Sequence, residues 1–401
     1  MACGSEASMV SRGKDELRTV SLYVLPAAGP FDLAGRHAYD HPVQKLGGVR
    51  RDGPGLWRRR ESMYNRRALA LTFAVAIIGF LGTSLQAQEN RRPQRSKLEQ
   101  QDIDTLVQLV NGVAAGTQPA PSEVGVTWVG NHYLKTDSGR TYVPFTVNVD
   151  RGALGKKEVS MYVRAVSKAA APEAPAGQAA PTTVTFPWDD INFIDVPDNG
   201  RVARALVLPP GEYDVFIALK ERATDQRNAA PAKTGFVRET LTVPSFEGSL
   251  QSSSVIVAAN VEVLDKPLND EQQRVNPYTF GSLKIDPMLT QEFPKAGELN
   301  VFFWIYGVQP DANKKPDLTI EYNFHQKTAD GEKYFNRTPP QALNAQTLPP
   351  EFDVTSQDLF GNQGVPLASF PAGDYRLEIT ITDKLSGSTV KKDVPFTVAG
   401  S

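Results

Sequence analysis

From Val124 onward the chain is written in a two-residue period, and that period admits few folds. "TYVPFTVNV" sets Val143, Phe145, Val147 and Val149 on alternate positions, and "VSMYVRAV" does the same with Val159, Met161, Val163 and Ala165. "EYDVFIAL" follows with Tyr213, Val215, Ile217 and Leu219, and "VRETLTV" with Leu241 and Val243. The pattern resumes in Leu318, Ile320, Tyr322 and Phe324, then in Tyr375, Leu377, Ile379 and Ile381, and last in Val394, Phe396 and Val398. Alternation gives a strand one apolar and one polar face, as a half-buried antiparallel sheet requires. Gly and Pro punctuate the gaps and no β-α-β alternation appears. The expected class is all-β, built of sandwiches.

One phrase occurs twice. Pro209, Gly211, Tyr213, Val215 and Ile217 match Pro371, Gly373, Tyr375, Leu377 and Ile379, each 162 positions later. Proline cannot donate to a ladder, so it sits where pairing has not begun, and glycine permits the bend that follows. Tyr then opens the inward series of a strand. The closing strands "GFVRETLTV" and "VKKDVPFTV" also match, at an offset of 155, so the second copy lacks seven residues between the strands. Upstream, "VPFTVNV" corresponds to "VFFWIYG" and "VSMYVRA" to "LTIEYNF". The reading is a sandwich unit present twice, over residues 124–246 and 247–401, each expected to fold separately. Both opening tyrosines, Tyr213 and Tyr375, are expected to be buried and equivalent.

The wording Pro209-Pro210-Gly211-x-Tyr213-x-Val215 resembles the turn-strand signature of secreted bacterial Ig-like and transthyretin-like modules. The second half, from "SSSVIVAANVEVL" through "NPYTFGSLKI" and "ELNVFFWIYG" to the closing strand, is similar to a module of uncharacterised secreted bacterial proteins. A Gly-Trp-x-Thr-Asp segment that some of those carry is missing here. The resemblance covers the last 150 or so residues and implies two tandem Ig-like β-sandwich domains. Its motifs are structural, so it implies no catalytic residue.

Ahead of the sheets stands an address. In "MYNRRALALTFAVAIIGFLGTSLQAQ", Arg66 and Arg67 precede an uncharged, mostly apolar run from Ala68 to Leu85, and Ala87 offers a small residue for cleavage. Charge, apolar run and small exit in that order are the grammar of a secretory signal over residues 63–87. A membrane anchor is the alternative, since ~17–25 apolar residues span a bilayer. Residues 1–62 are rich in Gly and Arg and lack an apolar period. They read as text upstream of a true start at Met63 or as a disordered extension. Within the linker 88–123, "SKLEQQDIDTLVQLVNGVAAG" reads as an amphipathic helix: Ser96 and Glu99 suit a capping box, and Ile103, Leu106, Val107 and Val110 form one stripe. That helix is expected to lie on the first domain or to serve in docking. Gly112 or Gly116 is expected to end it. Two stretches read as surface excursions, the Pro/Ala run at 167–183 and the hairpin at 221–235.

Composition excludes several chemistries. The only cysteine is Cys3, ahead of the signal, so disulfides and thiolate catalysis drop out of the exported part. Residues 1–87 hold 12 Lys+Arg and 7 Asp+Glu, which leaves 31 basic and 38 acidic residues beyond, and an acidic body argues against nucleic acid as partner. The exported part has two histidines, His132 and His325, placed in different domains, and no Gly-x-Ser-x-Gly elbow. Asp189, Asp190, Asp195 and Asp198 in "PWDDINFIDVPDNGR" could offer hard oxygens to calcium, although their spacing misses the EF-hand pattern and Asp198-Asn199-Gly200 also reads as a tight turn. No other cofactor is expected. In "LNVFFWIYGV" both faces are apolar: Leu299, Val301, Phe303 and Ile305 point one way, and Phe302, Trp304 and Tyr306 the other. Such a strand is either covered on both sides, with "NPYTFGSLKI" as a candidate cover, or an aromatic platform for a sugar ring or a partner.

These readings converge on an exported, non-catalytic protein, periplasmic or extracellular, that contacts a protein or a cell-surface polysaccharide. Membrane attachment enters only if the signal segment is retained. The alternatives are a glycan-binding module using Phe302, Trp304 and Tyr306, and an unrecognised hydrolase.

Overall fold

In the computed structural model, residues 95–169, 186–224 and 230–400 are described. The extension 1–62, the signal segment 63–87, most of the run at 167–183 and positions 225–229 of the hairpin at 221–235 lie outside the described residues. A first helix, α1 (Lys97–Ala114), precedes eight strands. These are β1 (Val126–Asn131), β2 (Leu134–Lys135), β3 (Thr141–Val149), β4 (Glu158–Ser167), β5 (Trp188–Asp195), β6 (Arg201–Leu208), β7 (Gly211–Glu221) and β8 (Thr234–Val243). Then come β9 (Gln251–Ser252), β10 (Ile256–Val263), the short helix α2 (Asp270–Val275), β11 (Thr279–Phe280), β12 (Leu283–Pro287) and β13 (Glu292–Phe293). The chain closes with β14 (Glu298–Tyr306), β15 (Asp317–Thr328), β16 (Gly331–Arg337), β17 (Gln341–Asn344), β18 (Leu359–Pro366), β19 (Gly373–Asp383) and β20 (Thr389–Val398). The protein is all-β, as its period requires.

The strands form four sheets. Sheet I runs β5-β4-β7-β8, and sheet II has β3 at its centre, with β6 on one side and β1 and β2 on the other. Sheet III runs β11-β12-β10-β14-β18 with β9 also beside β14, and sheet IV runs β13-β20-β19-β15-β16 with β17 also on β15. With α1 they make five layers inside one compact unit. Among the described residues, four apolar clusters fill the four gaps. Ile103, Leu106 and Val110 of α1 meet Tyr162, Ile191, Phe216 and Ala218 on the outer face of sheet I. Sheets I and II close on Val143, Phe145 and Val147 from one side and on Met161, Val163, Val215 and Ile217 from the other. Sheets III and IV close on Val301, Phe303 and Ile305 against Ile320, Tyr322, Tyr375 and Leu377. The fourth cluster joins sheet II to sheet III.

The layering corrects one expectation. A half-buried strand was expected at β3 and β4, yet both are buried on almost every residue, Tyr142, Thr146, Ser160 and Arg164 included. The reason is that α1 covers the outer face of sheet I and sheet III covers that of sheet II. Buried polar groups then need partners. Asp102 of α1 supplies one, accepting from the Ser160 hydroxyl at 2.9 Å, the Ala223 N–H at 3.1 Å and the Lys220 ammonium. Arg164 donates to Asn111 and pairs with Asp189. Sheet IV keeps the expected alternation, with Leu318, Ile320, Tyr322 and Phe324 buried and Glu321 and Asn323 between them partly exposed. The helix runs through Gly112 and ends before Gly116, whose φ of +70° turns the chain away.

The twice-written phrase occupies the same place twice. β7 and β19 open at Gly211 and Gly373, with φ of +149° and +146°, a region that residues bearing a Cβ rarely enter. The Tyr213 hydroxyl donates to the Pro209 carbonyl at 2.9 Å, and that of Tyr375 to the Pro371 carbonyl at 2.8 Å. Ten residue pairs join β7 to β8, from Gly211↔Val243 to Lys220↔Thr234, and ten join β19 to β20, from Gly373↔Val398 to Thr382↔Thr389. Thirteen residues separate Lys220 from Thr234 and six separate Thr382 from Thr389. The seven-residue difference therefore lies wholly in the hairpin, and the register is untouched. The neighbour agrees as well: Val163 faces Ile217 as Tyr322 faces Ile379.

Both tyrosines are buried, at 4% and 0% exposure. Tyr213→Phe and Tyr375→Phe are each expected to cost ~1 kcal/mol by leaving a proline carbonyl unpaired. The corresponding alanine variants should cost ~3–5 kcal/mol through a cavity. Urea unfolding of the four variants measures this; equal costs for Phe and Ala would show that the hydroxyl, and not the ring, carries the site.

Candidate functional site

The aromatic strand β14 sits at the middle of the stack. Its one face supplies the core between sheets III and IV, and its other face carries Phe302, Trp304 and Tyr306 at 3%, 7% and 4% exposure. These rings form no open platform. Phe280 lies 4.5 Å from Trp304 between ring centres, Phe360 5.1 Å from Trp304 and Phe246 5.2 Å from Tyr306. Tyr278, Phe280, Leu283 and Ile285 of "NPYTFGSLKI" do cover the strand, and Leu134 and Tyr142 of sheet II complete the cover. The sequence pointed to a strand with two apolar faces; that another sheet would supply part of the cover was not legible, because short β2 gives no periodic signal.

Polar groups cross the seam in both directions. The Tyr142 hydroxyl donates to the Pro277 carbonyl at 2.7 Å, and that of Tyr278 to the Pro144 carbonyl at 3.1 Å. The Lys135 N–H donates to the Tyr306 hydroxyl at 3.2 Å. Tyr133 and Ser254 are linked twice, N–H to hydroxyl and N–H to carbonyl, both at 2.9 Å. Burial pushes the hydroxyls of Tyr142, Tyr278 and Tyr306 well above the ordinary tyrosine range, so all three stay protonated donors or acceptors.

The four aspartates are not brought together. Asp189 accepts from the Tyr162 hydroxyl and pairs with Arg164, whereas Asp190, next along β5 and so on its opposite face, pairs with Arg274 at 3.2 Å. Asp195 pairs with Lys157 at the strand's end. Asp198 belongs to a tight turn in which the Gly200 N–H donates to the Pro197 carbonyl, with Gly200 at φ +71°. Calcium needs six to eight converging oxygens. Among the described residues no three acidic, His or Cys side chains gather in a metal-ligating group.

Beside the seam opens a cleft of about 380 Å³, lined by His132, Ser254, Val257, Met288, Phe293 and Lys392 among others. A second, of about 270 Å³, adjoins it and adds Tyr133, Phe246 and Val390, sharing Ser254 and Lys392. His132 binds the Tyr278 hydroxyl through Nδ1 at 3.0 Å; since that hydroxyl donates to Pro144, its oxygen accepts from Nδ1–H. Burial holds the imidazole at about 4, well below the ordinary 6.5, and therefore neutral. Lys392 was passed over in the sequence because it stands in a charged run. The signal that finds it is the repeat: at the 155-residue offset its counterpart is Val237.

No family model and no curated protein matches the chain. Solved structures that are similar include trypsin-activated α-2-macroglobulin from Escherichia coli, at 12% identity and a TM-score of 0.20, covering 71% of this chain and 17% of that one. Salmonella α-2-macroglobulin reacted with methylamine gives 12% and 0.19, covering 70% and 17%. The chain thus spans less than a fifth of the length of either.

Two outcomes test the seam. Trp304→Ala should lower stability by ~3–5 kcal/mol, read by thermal or urea unfolding, because the indole fills a closed aromatic cluster; a loss below ~0.5 kcal/mol would place the ring at a surface. The second concerns pH. Between pH 6.5 and 4 the unfolded chain takes up a proton at His132 that the folded chain refuses, so His132 makes stability fall as pH drops through that window, by about 3 kcal/mol at most. Urea midpoints of wild type and His132→Asn should converge toward low pH, with the variant the flatter of the two.

Proposed function

We propose that the chain is an exported, non-catalytic contact protein made of two tandem Ig-like modules, residues 124–246 and 247–401, that engages a protein or a cell-surface polymer outside the cytoplasm. The aromatic seam carries this reading. Phe302, Trp304 and Tyr306, with the reciprocal tyrosine hydrogen bonds, hold the two sheet pairs together without a flexible joint. A stiff body of this kind suits holding and spacing. It does not need the mobile loops that enclose a reacting substrate. Charged side chains on the sheets support the same view, since they are spent in pairs such as Arg376 with Glu332, Glu378 and Asp393. Export rests on the order of charge, apolar run and small exit in residues 63–87. The buried position of the aromatic strand removes the observation that favoured glycan binding through it.

Fractionation of cells that make the protein, followed by mass spectrometry of its N-terminus, tests the first half. The expected result is a chain beginning at Gln88 in the periplasm or the medium. A cytoplasmic chain that retains residues 63–87 would overturn export. In-cell crosslinking tests the second half: a discrete adduct with an envelope protein or polymer is expected, and none in any fraction would sink the contact role.

A further inference from the structure

We propose that the cleft beside the seam is a binding site for a small amphipathic carboxylate, with the Lys392 ammonium and the Ser254 hydroxyl as its anion-holding groups. The inference deepens the contact-protein reading, and rests on it only for the view that this chain binds its ligand without transforming it.

The first argument is positional. Along β20 the inward series is Val390, Lys392, Val394, Phe396 and Val398. Lys392 therefore stands where an apolar side chain belongs. The matched registers make this concrete: Ile217 faces Val237 in one hairpin and Ile379 faces Lys392 in the other. Val237 packs against the core of its sheet pair, and its counterpart is an amine. Among the described residues Lys392 is half-buried and has no hydrogen-bonding or ionic partner, and burial draws its amine below the ordinary lysine range. A cation taken from water without a partner is costly, and an entering anion offsets that cost. Asp393 also lines the cleft, but it alternates with Lys392 along β20, is exposed, and is held by Arg376.

The second argument is the hydroxyl. Ser254 lines both clefts together with Lys392. Its oxygen already accepts from the Tyr133 N–H at 2.9 Å, which leaves its own proton to donate. The walls are Val257, Met288 and Phe293, and the volume of about 380 Å³ falls within the ~300–1,000 Å³ of small-molecule sites. Thr290, Gln291 and Asp393 also line the cleft, and within it the Lys392 ammonium and the Ser254 hydroxyl beside Val257, Met288 and Phe293 suit a single carboxylate on an apolar body. Phosphate is less suited, because no arginine lines either cleft to meet it bidentately.

A peptide strand is the competing occupant, and the edge argues against it. Thr397 and Ala399 donate their N–H groups to Gln291 and Phe293, so the next donor on that edge would be residue 395. That residue is Pro395, which has none, and the charged Asp393 and Lys391 follow. Proline and charge are how exposed edges are closed to a further strand.

Calorimetric titration of the full chain with octanoate tests the proposal, with octanol, octylamine and inorganic phosphate as controls. Saturable one-to-one binding of octanoate is expected, tighter than that of any control. Lys392→Val, which restores the residue of the other copy, should weaken octanoate at least tenfold and leave octanol unchanged. Its melting temperature should hold or rise, whereas a merely structural lysine would lower it. Lys392→Met serves the same purpose should the valine variant fail to fold. The proposal is overturned if octanoate does not bind the wild type, if wild type and variant bind it equally, or if octanol, octylamine or phosphate is preferred. Failure here leaves the export and crosslinking outcomes standing, and their failure leaves this titration standing.

Discussion

Everything in this molecule is arranged around a strand that has no polar face. β14 presents Val301, Phe303 and Ile305 to one side and Phe302, Trp304 and Tyr306 to the other. A soluble strand of that kind must be central in two directions, because either face left open would be an adhesive patch. One side is met by sheet IV. The other is met by α2's neighbours Tyr278 and Phe280 and by sheet II. Each large side chain so enclosed contributes roughly 1.5–3 kcal/mol. Ring contacts at 4.5–5.8 Å between centres, such as Phe280 with Trp304 and Phe302 with Phe360, add direction to that burial. The layers cannot slide, since three tyrosine hydroxyls are committed to backbone groups across the same seam.

The seam explains why the two sheet pairs differ while their closing hairpins match pair for pair. Within each pair, register is set by Gly, Tyr and the inward series, and a one-residue slip would turn every apolar group outward. That is why a seven-residue change in the hairpin costs the ladder nothing: loop length is free where register is pinned from the other end. Outside the shared pattern, each pair carries what its neighbours demand. Sheet I has Ser160 and Arg164 buried and Lys220 half-buried under α1, each needing Asp102, Asn111 or Asp189. Sheet IV has Glu321, Asn323, Arg376 and Glu378 on a face that meets water.

Period and repeat together made most of this legible. The inward series of β3, β4, β7, β15, β19 and β20 can be read residue by residue, and the correspondence of "VSMYVRA" with "LTIEYNF" is register-true. The two-faced character of β14 is also plain in the text. That "NPYTFGSLKI" covers part of it is legible too, but the share of sheet II is not, because β2 is two residues long and carries no period. The burial of Ser160 and Arg164 is hidden for a related reason: alternation reports which residues differ in polarity, and a polar residue beneath a helix reads as a solvent-facing one. The aspartates of β5 misled in the opposite way. Density along the sequence suggested convergence, but successive residues of a strand point apart, so Asp189 and Asp190 went to different partners.

The layers also limit where recognition can happen. α1 takes the outer face of sheet I, and the seam takes the outer faces of sheets II and III. What remains is the polar face of sheet IV, the strand edges, and the gap where β10 of sheet III and β20 of sheet IV draw apart. On the face of sheet IV the charges are already knitted, Arg376 to three carboxylates and Lys391 to Glu378. Such exposed pairs contribute little stability, but they leave few charges uncommitted for a partner. The edge of β20 is blunted by Pro395 and its flanking charges. In the gap a cation stands on an apolar phase, at Lys392, where the other copy has Val237; Arg204, on the inward phase of β6, is instead met by Asn192. A residue that opposes the packing of its own strand is costly to keep, and beside the matched pairs Ile217↔Val237 and Ile379↔Lys392 that cost is what a carboxylate in the cleft would offset.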